Sequence, residues 1–180
     1  MKKRWNLFLL IAIVTLGLDL GSKYWARHSL PTQPAACAVP DDFKLGRCTG
    51  VPTAVIDGIW EWRLAFNKGA AFSMFHSAEG GRWLLTGIGI VAVLAMLWMV
   101  HKARPEQRFL IAALAMVAGG AVGNLADRVY FGVVTDFVLW RYKHHEWPVF
   151  NVADVALVIG VGLLVIDAWR EAKAARVATA

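Results

Sequence analysis

The chain has 180 residues, of which 58% are hydrophobic and 18% charged, and a formal net charge of +6. Soluble domains are roughly half apolar and about a quarter charged, so this composition, with its apolar residues in long runs, argues for an integral membrane protein. The positive residues collect at the N-terminus, at residues 102–108 and at the C-terminus, where membrane topology would place them. This distribution argues against a nucleic-acid partner, and the length predicts one domain over residues 1–180.

The first predicted element is a transmembrane helix that begins close to the N-terminus. Asp19, Ser22 and Lys23 lie toward its end, without a small-residue cleavage site, so we expect it to be retained and not removed as a signal peptide. Three more apolar segments follow, and each is treated as a further span. The four predicted transmembrane helices cover about residues 5–26, 83–100, 109–125 and 152–169.

Two polar sections separate these helices. Residues 27–82 contain several prolines, a short predicted strand at 60–66 and a turn at 67–69. Residues 133–142 form an extended segment between the third and fourth helices. We therefore predict an all-α membrane protein with four transmembrane helices and a small β-containing section.

Positive residues in short loops mark the cytoplasmic side of a membrane. Both termini and the 101–108 loop then lie in the cytoplasm, and sections 27–82 and 126–150 face outward together. We expect a multi-pass protein whose polar features converge at the extracytoplasmic face. The small residues Gly119 and Gly123 in the third helix would let another helix approach closely.

Asp136 and Asp154 are the candidate catalytic pair. Two neighbouring carboxylates can share one proton and activate a water molecule. The spacing of Asn151 and Asp154 also fits a capping box at the start of the fourth helix, and on spacing alone that alternative is favoured. Asp136, however, lies in an apolar stretch, where a carboxylate adds no stability unless it meets water or a partner. Its presence at the same membrane face favours a functional pair.

Two other polar groups have helical spacing. Asp19 and Lys23 share a helix face, either as an ion pair that anchors the helix or as groups that position a substrate. Asn124, Asp127 and Arg128 repeat this spacing near the end of the third helix. They form either a closing polar cluster, in which Asp127 or another carboxylate pairs with Arg128, or a support that orients a catalytic neighbour.

Other chemistries have weaker patterns. Residues 144–146 (His-His-Glu) lack the spacing of a zinc protease, so we expect no metal. Ser73 and His76 have no supporting acid or nucleophile elbow. Cys37 and Cys48 favour a disulfide in an oxidising compartment, although free thiols remain an alternative.

At these residues the chain resembles the lipoprotein signal peptidases, or signal peptidase II. Four blocks carry the resemblance, and they occur in the family's order on four predicted helices. It covers roughly residues 5–170. The blocks are Asp19-Leu-Gly-Ser22-Lys23, Asn67-Lys-Gly69-Ala-Ala71-Phe72, Gly123-Asn124-Leu-Ala-Asp127-Arg128 running on to Val134-Thr-Asp136-Phe137, and Phe150-Asn151-Val-Ala153-Asp154.

The resemblance implies an aspartyl endopeptidase of the bacterial cytoplasmic (inner) membrane, which cuts prolipoproteins before a diacylglyceryl-modified cysteine. Asp136 and Asp154 fall on the catalytic positions. No cofactor is implied, the partners are prolipoproteins and membrane lipids, and we expect a monomer. The longer section around residues 37–48 departs from the family pattern. The supporting or substrate-binding positions are Asp19, Lys23, Asn67, Gly69, Asn124, Asp127, Arg128 and Asn151.

Within the pair, we expect the charge on Asp154 and the shared proton on Asp136. Asp154 lies in a first helical turn, where the helix dipole and free N–H groups favour an anion, whereas apolar neighbours of Asp136 favour the neutral acid.

The alternative functions are a small transporter or proton channel with an acidic relay, and an assembly factor that uses the surface of Gly119 and Gly123. A relay would spread acids along the membrane depth, whereas here they cluster at one face.

Overall fold

The computed structural model describes residues 2–69 and 78–178. Its helices are α1 (Lys2–Ser29), α2 (Asp41–Lys44), α3 (Ala78–Lys102), α4 (Arg108–Tyr130) and α5 (Val152–Ala178). Its strands are β1 (Thr32–Gln33), β2 (Thr49–Gly50), β3 (Thr53–Ile56), β4 (Trp60–Asn67), β5 (Val134–Tyr142) and β6 (His145–Glu146).

Four helices of the described part are long and apolar enough to cross a membrane, which confirms the four predicted spans. Each helix is longer than its apolar run predicted. The third, α4, continues to Tyr130, so Asp127 and Arg128 belong to its last turn. Polar residues extend a helix whenever the backbone hydrogen bonds continue, and hydropathy alone does not detect that extension. The candidate spans are Lys2–Ser29, Gly81–Lys102, Arg108–Tyr130 and Val152–Ala174.

Helix α4 is the central helix of the bundle and packs against α1, α3 and α5. Its small residues allow this, as predicted for Gly119 and Gly123. A Cβ atom on Gly119 would lie 2.8 Å from the Ala12 carbonyl oxygen and 2.9 Å from the Thr15 Cβ, both on α1. A Cβ atom on Gly123 would overlap the Asp19 carboxylate. The glycine surface is therefore occupied by α1, which leaves no basis for the assembly-factor alternative.

A four-stranded antiparallel sheet, in the order β3-β4-β5-β6, covers one end of the bundle. The two predicted strands are its central members, β4 and β5. Their register pairs Asn67 with Val134, Phe66 with Thr135 and Ala65 with Asp136. The sheet is therefore larger than the small β-containing section predicted beside an all-α bundle. Each predicted strand needs a partner in an antiparallel sheet, and the two additional partners, β3 and β6, are short and partly polar.

The start of β5 is buried on both faces, and this burial includes two consecutive polar residues. Val134, Thr135, Asp136 and Phe137 are all buried. Phe137 packs with Ala26 of α1 and Leu64 of β4 in a small hydrophobic cluster. A carboxyl group is thereby held inside the protein where the sheet meets the helices.

The basic regions lie together at the other end of the bundle. Arg4 Nη1 donates to the Ala103 carbonyl at 2.7 Å, and Gln107 Nε2 donates to Glu171 Oε1 at 2.9 Å. These contacts join the start of α1, the α3–α4 connection and the end of α5. In the described part of the chain, the acidic side chains beside the sheet therefore lie at the opposite end of the helices from the basic loops.

A disulfide-closed segment, residues 31–52, is inserted between α1 and β3. Cys37 and Cys48 are bridged with a Cα–Cα distance of 6.2 Å, which confirms the predicted bridge. At its base β1 and β2 pair, with Thr32 opposite Gly50, and enclose the short helix α2. The segment is therefore closed both by hydrogen bonds and by a covalent bond.

Candidate active site

Asn151 joins the two candidate catalytic carboxyl groups. Its side-chain Nδ2 donates to Asp136 Oδ1 at 2.6 Å, and its Oδ1 accepts from the Asp154 backbone N–H at 3.0 Å. Asn151 is fully buried, and Asp136 is 2% exposed. One asparagine at the start of α5 therefore holds a residue of β5 beside a residue of its own helix.

Asp154 is partly buried and accepts two hydrogen bonds. Its Oδ2 accepts from the Asn151 backbone N–H at 3.2 Å, which with the reciprocal bond completes the predicted capping box. Its Oδ1 accepts from Asn124 Nδ2 of α4 at 3.0 Å. The capping and functional interpretations are compatible, because the cap fixes the carboxylate at the helix end while leaving it near Asp136. Two donors stabilise its charged form.

Asn124 is itself oriented by Lys23. The Lys23 ammonium donates to Asn124 Oδ1 at 2.8 Å, and Asn151 Nδ2 lies 3.2 Å from the same oxygen. With its oxygen occupied by donors, Asn124 presents its Nδ2 to Asp154. Lys23 therefore fixes the orientation of the Asn124 amide, which donates to the Asp154 carboxylate.

Asp19 and Lys23 form the predicted ion pair, at 2.8 Å between Nζ and Oδ2, and both are fully buried. Asp19 Oδ1 also accepts from the Ala153 backbone N–H at 2.8 Å. Since the first N–H groups of a helix have no partner within it, this bond supplies one. The pair therefore anchors α1 to the start of α5 next to Asp154, which is the anchoring role considered for it; its role in positioning a substrate stays a prediction.

Asp127 holds the beginning of β5. Its Oδ2 accepts from the Thr135 backbone N–H at 2.8 Å, and its ion pairs are with Arg27 at 3.3 Å and Lys23 at 3.6 Å. Among the described residues, Asp127 does not pair with Arg128, which had been one interpretation of their spacing. Thr135 immediately precedes Asp136, so this bond fixes the backbone that carries the candidate catalytic group.

Arg128 lies on the same side of the cluster. Its guanidinium is partly buried, donates to the Asn124 carbonyl at 3.3 Å and interacts electrostatically with Asp154, Asp136 and Asp127. A cation in this position favours charge on the nearby carboxylates.

Asn67 and Gly69 lie where β4 ends, beside Asp136. The Gly69 backbone N–H donates to Asn67 Oδ1 at 2.7 Å, and Gly69 has φ of 95°, a conformation that favours glycine. The side chain of Asn67 is exposed and also hydrogen bonds to Asp136. The predicted turn is therefore present, and it sets an exposed amide at the edge of the cluster.

Burial raises the pKa of Asp136 from 3.8 to about 7, and the charge of Asp154 adds to the rise. Hydrogen bonds from Asn151 and Asn67, and the charge of Lys23, oppose it. Near neutral pH the protonated form of Asp136 is thus substantially populated. Asp136 can then act as an acid next to a carboxylate that acts as a base.

Two residues of the cluster were missed from the sequence. Arg27 Nη1 donates to Thr135 Oγ1 at 2.8 Å and contacts Asp127. Arg27 follows Asp19 and Lys23 at the same four-residue spacing, so the periodicity of α1 could have identified it. Thr135 had no signal except its position next to Asp136.

Some residues considered for other chemistry are not part of this cluster. Glu146 pairs with Arg63 at 3.2 Å and Arg141 at 2.7 Å on the sheet, which is a structural role. Ser73 and His76, and residues 70–72 that complete the block beginning at Asn67, lie outside the described residues.

An apolar groove of about 270 Å³ begins at Asp154. It runs between the end of β5, the loop after β6 and the outer face of α5. Its lining is apolar apart from Asp154, and consists of Trp140, Trp147, Phe150, Asp154, Val155, Val158 and Ile159.

Comparison with known proteins identifies a consistent set of relatives. Residues 11–170 match the family described as "Signal peptidase (SPase) II". A lipoprotein signal peptidase of Xanthomonas campestris pv. campestris (strain 8004) is 38% identical over 175 residues, which is 93% of each chain. That of Polynucleobacter necessarius subsp. necessarius (strain STIR1) is 35% identical and covers 91% of this chain and 88% of its own.

Two solved structures, each described as a bacterial membrane enzyme determined by the in meso method, have a similar fold. One has a TM-score of 0.71 with 25% identity and covers 92% of this chain and 88% of its own. The other has a TM-score of 0.70 with 26% identity, covering 89% and 90%.

Proposed function

Because the chain belongs to the signal peptidase II family, we propose that Asp136 and Asp154 carry the chemistry of this aspartic protease. The chain is a multi-pass bacterial membrane protease that processes prolipoproteins. The observation that carries the assignment of the pair is the position of Asn151, whose side chain contacts Asp136 and whose cap holds Asp154. Asn151 thereby brings the carboxyl groups of two elements, β5 and α5, into one polar cluster.

In the resting enzyme, the charge resides on Asp154 and the shared proton on Asp136. The two donors to Asp154 and the raised pKa of Asp136 support this assignment. Asp154 takes a proton from water, the water oxygen attacks the scissile carbonyl carbon, and Asp136 gives its proton to the carbonyl oxygen. In the collapse of the resulting diol, Asp136 takes a proton back from a hydroxyl and Asp154 gives its proton to the leaving nitrogen. The pair then returns to its starting state.

The finer specificity concerns the lipid on the substrate. The cut falls before a diacylglyceryl-modified cysteine, and the signal helix enters laterally from the membrane. The groove of about 270 Å³ at Asp154 supports this route, because it is apolar along α5 and meets the polar cluster at one end. The acyl chains stay in lipid, while Asn67 and the backbone at Gly69 hold the substrate chain.

The active site faces the extracytoplasmic side, and both termini lie in the cytoplasm. The support is the separation of the basic regions near Arg4 and Gln107 from the aspartate pair, at opposite ends of the helices. The protein acts as a monomer, a single peptidase domain over residues 1–180, in contact with membrane lipids of the bacterial inner membrane.

The test uses purified full-length protein in detergent and two versions of one lipobox peptide, with and without the diacylglyceryl group on cysteine. We expect cleavage before the cysteine of the lipidated peptide and none of the unlipidated one. Equal cleavage of both peptides would contradict the proposed lipid specificity. The absence of cleavage of either, by folded protein, would contradict the peptidase assignment and leave the acidic-relay alternative as the next hypothesis.

A further inference from the structure

Two residues of the disulfide-closed segment, Phe43 and Lys44, contact the strand and helix ends that border the site. It is closed at its base by the β1–β2 pair and by a hydrogen bond from the Val51 N–H to the Pro31 carbonyl at 3.0 Å. The bridge between Cys37 and Cys48 closes it again around α2. The segment is therefore a compact unit, and α2 is held in one place relative to β4.

Phe43 of α2 makes the apolar contact. Its ring packs edge-to-face on Phe66 of β4, with the ring centroids 5.0 Å apart. Phe43 and Phe66 both pack on the buried cluster that contains Leu64 and Phe137. Phe66 precedes Asn67, and Phe137 follows Asp136. The segment therefore packs against β4 next to Asn67 and, through the shared cluster, against β5 next to Asp136.

Lys44 makes the polar contact. Its Nζ donates to the Phe131 carbonyl, at the end of α4, at 3.4 Å, and its own carbonyl accepts from Lys68 Nζ at 3.1 Å. Lys68 follows Asn67, and Phe131 lies in the connection that leads to β5. Lys44 thus links the end of β4 to the end of α4, across the side of the cluster where Asn67 is exposed.

We propose that Phe43 and Lys44 are positioning residues that set the location of the Asn67–Gly69 end of β4 for substrate binding. The inference rests on the proposed function, in which this end holds the substrate chain. Asp136 is also held by Asn151, at 2.6 Å, so its position does not depend on the Asn67–Gly69 end alone. Loosening the segment should therefore weaken the binding of substrate more than the chemical step, and raise KM with little change in kcat.

The experiment measures KM and kcat for the lipidated peptide with wild type, Phe43→Ala, Lys44→Met and the control Arg47→Ala. Arg47 lies on the same segment, its side chain is 71% exposed, and its ion pair within the described part of the chain is with Asp42, at 3.8 Å. We expect Phe43→Ala to raise KM about fivefold, the equivalent of one aromatic pair, with kcat within about twofold. Lys44→Met should raise KM in the same direction, and Arg47→Ala should match wild type.

Lys44→Met keeps the test decisive if Phe43→Ala does not fold, because it removes only two partly exposed contacts of Nζ, with the Phe131 carbonyl and with Asp41. Wild-type KM in Lys44→Met and in any folded Phe43→Ala would overturn the inference, as would a fall in kcat without a rise in KM. If wild type itself fails to cleave the peptide, the proposed function fails and the inference with it. Cleavage by wild type with unchanged KM in the variants would defeat the inference alone.

Discussion

The carboxyl group of Asp136 is kept protonated by its surroundings at pH values where a surface aspartate is ionised. Burial is the main cause, and the nearby charge of Asp154 is the second; together they raise the pKa of Asp136 to about 7. The direction in which pH changes the free energy of unfolding follows from linkage, because the folded protein binds this proton more tightly than the unfolded chain does. The contribution of Asp136 to stability is therefore highest at low pH and decreases as pH rises from 3.8 through about 7.

Two substitutions should move the pKa of Asp136 in opposite directions. Asp154→Asn removes a negative charge that raises this pKa, so we expect the pKa to fall below about 7 while burial keeps it above 3.8. Asn67→Ala removes a hydrogen bond that lowers it, so we expect a rise. Infrared difference spectra of protein labelled at Asp136, titrated with pH, would measure both shifts. Shifts of the same sign in the two variants would contradict the account of this site.

The sequence identified most of the polar cluster at the level of single residues, because charged groups within apolar segments are costly and hence conspicuous. It could not reveal which groups touch. Asp127 was grouped with Arg128 by spacing, but it bonds Arg27 and the Thr135 backbone across the fold. Those partners depend on how α1, α4 and β5 meet, which no local spacing encodes.

Among the elements, α4 sets the spacing of the bundle through its glycines. Gly123 lies against the Asp19 carboxylate, and this close approach of α1 allows Asp19 to reach the Ala153 N–H of α5. A side chain at residue 123 would force α1 away from α4. The ion pair and the start of α5 would then lose their register with the aspartate pair.

Gly123→Ala should therefore destabilise the protein by about 1–3 kcal/mol, the usual cost of overpacking, and reduce cleavage. The matched control is Gly17→Ala on α1, where an added Cβ meets nothing within 4 Å. We expect the control to be neutral or slightly stabilising, since alanine favours helices. Thermal unfolding in detergent measures both variants. Equal stability of Gly123→Ala and the control would show that the close approach of α1 is not required.

Element types were predictable, whereas their ends and partners were less so. The helices were identified from hydropathy, β4 from its alternating pattern, and β5 as an extended segment. The short strands β1, β2, β3 and β6 were not identified, because strands of two to four residues depend on tertiary pairing and have no strong local signal. The disulfide was predicted from compartment and position, but the contacts of α2 with β4 were not.

For the whole molecule, the proposed topology separates the basic loops from the aspartate pair by the thickness of the membrane. Reporter fusions at Lys102 should read cytoplasmic, and fusions near Thr53 and His144 should read external. The physical reason is the retention of positive loops on the cytoplasmic side. An external signal at Lys102, with normal expression of the fusion, would invert the orientation of all four spans.

The central claim is that Asp136 and Asp154 act together in one step, and cleavage by single variants tests it most directly. Asp136→Asn and Asp154→Asn are compared with wild type and with Asp167→Asn, which changes a carboxyl group farther along α5. The lipidated peptide is the substrate, and thermal unfolding establishes that each variant is folded.

We expect each of the two variants to lose activity by about 10²–10⁴-fold or more, because each carboxyl group transfers a proton in the same step, while Asp167→Asn remains active. Near-normal turnover by folded Asp136→Asn or folded Asp154→Asn would contradict the account.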